Sequence, residues 1–130
     1  VVGILNRVKA PYNIGGLTQQ TALALLRQYD LFQNRRTGII LERERLIREL
    51  RGLGIFRRVY DSEANFILVI TEFCQKLYRY LIACRVVVRL RDIPPLIGGG
   101  IRITVGTREE NDRLLEVLHE YDNVMEVNTL

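Results

Sequence analysis

Arg89, Arg91 and Arg102, with Thr104, are the residues of this chain whose type and spacing could do chemistry, and that chemistry is the gripping of anions. A guanidinium presents paired, coplanar N–H donors that match a carboxylate or a phosphate. Val86, Val88 and Leu90 are apolar at every second position, which turns Arg89 and Arg91 to the other side of a strand. Ile101, Ile103 and Val105 alternate in the same way and turn Arg102 and Thr104 outward. If the two strands are neighbours, three arginines share one sheet face beside Gly98-Gly99-Gly100. The competing reading is a solvated face on which arginine is an ordinary occupant. The run Asn65–Thr71 weighs against it, because its continuous apolar stretch fits a strand covered on both sides.

Other chemistries find poor support. The three glycines are followed neither by Lys-Ser/Thr nor by a G-x-G-x-x-G helix start, so neither phosphate-loop pattern is present. His119, the single histidine, has no ligand or nucleophile at useful spacing and reads as a surface or helix-end residue. Cys74 and Cys84 form no CxxC or Cys/His cluster and fall at apolar positions of one helical pattern, as reduced core residues of a cytosolic protein do. Glu63, Glu109 and Glu110 have turn and capping roles open to them. No catalytic residue and no metal ligand is assigned.

The elements that must position the arginines follow from periodicity. Residues 1 to 9 suit the last turns of a helix, broken by Ala10-Pro11-Tyr12-Asn13 and Gly15-Gly16. Thr18–Tyr29 reads as a helix whose apolar residues ring it, which suggests burial against more than one neighbour. Gly38–Leu53 reads as an amphipathic helix, with Glu44/Arg48 and Arg45/Glu49 as i,i+4 pairs on a wet face, so the charge run there is no binding patch. A short strand at Ile55–Tyr60 and an Asp61-Ser62 turn lead to the strand 65–71. A helix follows, with Phe73, Leu77, Tyr80, Leu81 and Cys84 as its stripe, then a strand from Arg85 to Arg91, a Pro94-Pro95 and glycine loop, and the strand 101–105. Thr107-Arg108-Glu109-Glu110 is a T-x-x-E capping box that opens a helix with Leu114, Leu115, Leu118 and Tyr121 on its core side. The expected fold is a two-layer α/β sandwich, an antiparallel or mixed sheet with helices mainly on one face.

Composition sets the bounds. With 130 residues, 48% hydrophobic and 26% charged, the chain can bury a core unaided and does not have a disordered composition. No apolar run is long enough for a bilayer, and the start lacks the basic head and cleavage site of a signal peptide. The absence of an initial Met hints at a fragment. The net charge of +4 comes almost wholly from arginine, since Lys9 and Lys76 are the only lysines. Dispersed among glutamates, that charge argues only weakly for nucleic acid.

Three runs carry a family pattern: Lys9-Ala10-Pro11-Tyr12-Asn13, Asp61-Ser62-Glu63-Ala64-Asn65-Phe66-Ile67-Leu68, and Ile101-Arg102-Ile103-Thr104-Val105-Gly106-Thr107-Arg108-Glu109-Glu110-Asn111. In order and spacing, over roughly Val1 to His119, the chain resembles the histidinol-phosphate aminotransferases. The resemblance implies the type I fold of pyridoxal-phosphate enzymes, with residues 1–13 as a stub of the large domain and 14–130 as the carboxy-terminal small domain. It implies that Arg102 grips the acidic group of the substrate, the phosphate of histidinol phosphate or the α-carboxylate of glutamate, and that Arg89 helps hold the phosphate. Pyridoxal phosphate and its Schiff-base lysine would belong to the large domain, since neither Lys9 nor Lys76 lies in a Ser-x-x-Lys setting. The chain alone is therefore expected to be inactive and to self-associate, and the intact enzyme to be a cytoplasmic homodimer. Gly98-Gly99-Gly100 is richer in glycine than the family's usual loop. The alternatives are an aminotransferase for another acidic or aromatic amino acid and, from another class, a stand-alone ligand-sensing or RNA-binding module. The RNA reading wants aromatics on the open sheet face and an RNP1-like run, and no such run exists.

Overall fold

The computed structural model describes residues 14–91 and 99–127. The predicted helical turns at 1–9, the break at 10–13 and the Pro94-Pro95 loop lie outside the described residues. The chain divides into two compact units, Val1–Arg36 and Thr37–Leu130.

In the first unit, helix α1 spans Gly16–Leu26 and none of its residues is buried. The expected burial against several neighbours is therefore not met within this chain: Leu17, Leu23, Leu25 and Leu26 are all exposed. Helix α2 spans Tyr29–Arg51 and crosses from the first unit into the second, starting nine residues earlier than Gly38. Only Leu46, Ile47 and Leu50 of α2 are buried, all in its last two turns.

The second unit holds the core. Strands β1 (Arg58–Val59) and β2 (Phe66–Ile70) are followed by helix α3 (Cys74–Ala83), strands β3 (Arg89–Arg91) and β4 (Gly100–Thr104), and helix α4 (Arg108–Val127). The four strands form a wholly antiparallel sheet in the order β1-β2-β4-β3. One sheet face contributes Ile67, Val69, Ile101 and Ile103 to a cluster with Leu46 and Leu50 of α2, Leu77 and Leu81 of α3, and Leu114 and Leu118 of α4. Helices thus cover one face of the sheet, and the two-layer expectation holds.

Two elements differ from the sequence reading for identifiable reasons. The strand expected from Arg85 begins only at Arg89, because the preceding residues close the end of α3. Arg85 N–H bonds to Ile82 O at 3.0 Å and Val86 N–H to Leu81 O at 2.8 Å, with Arg85 at φ 62°. That is the Schellman closure, with arginine where glycine is usual. The second difference is the charge run of α2, which is not a solvated face throughout. Arg45 turns to Glu42 and to Asp112 of α4, each at 2.7 Å, rather than to Glu49, and both Glu42 and Arg45 are about five-sixths buried.

The predicted capping box at the start of α4 is present in both halves. Glu110 N–H donates to Thr107 Oγ1 at 3.3 Å, and Thr107 N–H to Glu110 Oε2 at 2.8 Å. Asn111, buried beneath it, donates to Glu42 Oε2 and to Gly106 O and accepts from Gly106 N–H. These bonds tie the junction between β4 and α4 to α2, and so fix the strand that carries Arg102.

Candidate functional site

Antiparallel pairing decides which side chains share the face that the helices leave open. Arg102 lies opposite Leu68 on one side and Arg89 on the other; Thr104 lies opposite Phe66, and Gly100 stands between Ile70 and Arg91. Arg58, opposite Ile70, extends the face onto β1. The structure therefore brings together the three arginines and Thr104 singled out from alternation, with Arg89 and Arg102 as direct cross-strand partners. No strand position on this face is acidic.

Arg102 is half-buried, and its Nε is enclosed without a hydrogen-bond partner. Its guanidinium carbon lies 5.1 Å from the centroid of the Phe66 ring. A charged donor enclosed without an acceptor is costly unless something arrives to satisfy it. Arg89 and Arg91 are exposed on the edge strand β3. Arg58 stacks over Tyr60 at 4.4 Å.

Phe66 was not singled out by sequence reasoning. In a run apolar at every position no alternation reports the face; only the pairing register assigns Phe66 and Leu68 to the arginine side. Both are half-buried; Ile70, on the same face opposite Gly100 and Arg58, is buried, as are Ile67 and Val69 on the helix side. The expectation of a strand covered on both faces is thus met fully on the helix side and only in part on the other.

The donor set suits an anion. It does not suit covalent attachment of a carbonyl cofactor: Lys76, the one lysine among the described residues, is exposed on α3 in the helix layer. Among the described residues no group of His, Cys, Asp and Glu could hold a metal ion. His119 is exposed, Cys74 is buried and Cys84 is half-buried, and both cysteines are free. Among the described residues no helix is long and apolar enough to cross a membrane.

An antiparallel sheet with helices on one face and paired arginines on the other defines the class as a two-layer α/β domain. The sequence matches the model of the family "aminotransferase class I and II" over residues 1–118, and the chain belongs to that family. It is 41% identical over 119 residues to the histidinol-phosphate aminotransferase of Flavobacterium psychrophilum, covering 91% of this chain and 34% of that protein. It is 42% identical over 121 residues to that of Cytophaga hutchinsonii, covering 93% and 35%. The fold matches the crystal structure of the histidinol-phosphate aminotransferase from Clostridium acetobutylicum with a TM-score of 0.76 at 28% identity, over 88% of this chain and 35% of that one. A decarboxylase from Sulfurospirillum multivorans matches with a TM-score of 0.72 at 25% identity, over 93% and 36%. The chain thus spans about a third of the length of the curated relatives it matches.

Proposed function

We propose that this chain is the substrate-closing part of an aminotransferase that moves an amino group between glutamate and imidazole-acetol phosphate, giving histidinol phosphate. Residues 14–130 serve as the small domain and 1–13 as a stub of the large one. The observation that carries the reading is Arg102, a half-buried guanidinium with an unsatisfied Nε on a sheet face with no acidic strand position among the described residues. The names of the relatives support the choice of substrate.

The arginines act by binding and orientation. Arg102 forms a two-pronged, charge-assisted contact with the substrate's acidic group, which holds the reacting carbon in one place. Arg89, across the ladder, supplies a second arm for the phosphate-bearing substrate. Thr104 adds a hydroxyl on the same face. Pyridoxal phosphate supplies the electron sink when bound, and in this reading the large domain of a cytoplasmic homodimer holds it. Because Arg102 fits any α-carboxylate, an aminotransferase for another acidic or aromatic amino acid is the second reading. The likeness to a protein named as a decarboxylase supports keeping that second reading.

A chimera tests the substrate. In the Flavobacterium psychrophilum relative, the segment matched by this chain is exchanged for it, and the product is assayed with histidinol phosphate and 2-oxoglutarate. Turnover is expected. A chimera that keeps its cofactor absorbance and transaminates other amino acids, but not histidinol phosphate, refutes the substrate assignment.

A further inference from the structure

Arg102 and Arg89 stand directly opposite each other in the ladder, at the separation where like charges destabilise a sheet. No acidic strand position shares their face. Left to electrostatics alone, the two guanidiniums would swing apart into solvent and lose the fixed fork that recognition of an acid group needs. Arg102 does not swing out. It is half-buried, with its Nε enclosed, and its guanidinium carbon lies over the Phe66 ring at 5.1 Å. Phe66 sits on β2, diagonally beyond Leu68, on the side of β4 away from Arg89.

We infer that Phe66 is a positioning residue for the anion site: its ring is the platform that holds the Arg102 guanidinium aimed and ready in the absence of substrate. The inference rests on the reading of Arg102 as the acid-gripping group. A guanidinium stacked on an aromatic face is attracted by the ring quadrupole, while its N–H edges stay free. Repulsion from Arg89 on one side and attraction to Phe66 on the other together select one orientation. When an anion arrives it neutralises both arginines without having to order the first. Preorganisation of this kind appears as affinity.

The test uses the 130-residue chain, inorganic phosphate as the probe and nitrogen-15 NMR of the arginine side chains. In the native chain, phosphate should shift the Arg102 and Arg89 signals, and Arg102 Nε should be ordered before phosphate is added. Phe66→Leu should weaken phosphate binding by about two- to thirtyfold and loosen the Arg102 Nε. Phe66→Tyr, which keeps a stacking face, should restore both. Pentafluorophenylalanine at position 66 keeps the shape of the ring but reverses its quadrupole, and should behave like Phe66→Leu although the packing is preserved. Arg102→Ala separates the two claims. If it removes phosphate binding while the pentafluoro chain binds as the native one does, the platform is refuted and the site stands. If Arg102→Ala leaves phosphate binding unchanged, the site reading falls and the platform with it.

Discussion

Two guanidiniums set opposite each other in a β-ladder cost stability, and the Arg102–Arg89 pair keeps that cost on a face with no acidic strand position among the described residues. Arg89→Thr should therefore stabilise the chain by a few tenths of a kcal/mol, read from urea unfolding. If Arg89 is the proposed second arm for phosphate, the same change in the intact enzyme should impair the phosphate-bearing substrate more than glutamate. Arg57 provides the contrast: it is exposed and 3.9 Å from an equally exposed Glu72, and Arg57→Ala should be nearly silent in both measurements. A second cost lies at Arg85, held at φ 62° by the closure of α3. Arg85→Gly should raise stability by about 1 kcal/mol, seen as a higher unfolding midpoint; an unchanged or lower midpoint would mean that the conformation is not strained. Arg89 and Arg102 were legible in the sequence because polar and apolar residues alternate around them. Phe66 was not, because its strand is apolar at every position. Glu42 and Asn111 were not either, since their contact joins residues 69 positions apart.

At the scale of elements, the β4–α4 junction shows local chemistry and long-range packing agreeing. The capping box was legible because all its parts lie within four residues, and Thr107→Ala should cost about 1 kcal/mol. Gly106 leaves room for it: a Cβ there would come within 2.4 Å of Glu110 Oε2 and 3.0 Å of its Cβ. The ion-pair network below the cap carries a pH signature. Hydrogen bonds from Arg45 and then Asn111 hold the Glu42 carboxyl down at about 2, from an ordinary value of 4.5. A carboxyl lowered on folding stabilises the protein above its unfolded pKa and loses that contribution as pH falls toward its folded one. Stability should thus drop between about pH 5 and pH 2, and Glu42→Gln should flatten that part of the curve, by roughly 2 kcal/mol after allowance for partial exposure. Parallel curves for the two proteins would show that Glu42 is not the group responsible. The start of β3 was misread because a valine run suits a strand, whereas the helix closure just before it commits Arg85 and Val86 first.

For the whole molecule, the second unit was legible almost element by element, since its core is made within this chain. The first was not. Helix α1 is apolar on all sides, and none of its residues is buried; Tyr29 and Phe32 at the start of α2 are likewise exposed. Apolar surface of this kind drives association, so the chain should form dimers or larger species in sedimentation, and Leu17→Glu with Leu23→Glu should reduce them. A monodisperse monomer at high concentration would count against this. Incubated with pyridoxal phosphate and borohydride, the chain should show no stoichiometric labelling of one particular lysine, because Lys76 stands in the helix layer away from the arginines. Single-turnover kinetics of Arg102→Ala in the intact enzyme, followed by cofactor absorbance in both half-reactions, test whether Arg102 grips the acidic group of the substrate. A loss of about 2–4 kcal/mol of transition-state stabilisation is expected, roughly thirty- to a thousandfold in kcat/KM, with both histidinol phosphate and glutamate and with little recovery in Arg102→Lys. Rates equal to those of the unaltered enzyme in both half-reactions would contradict it.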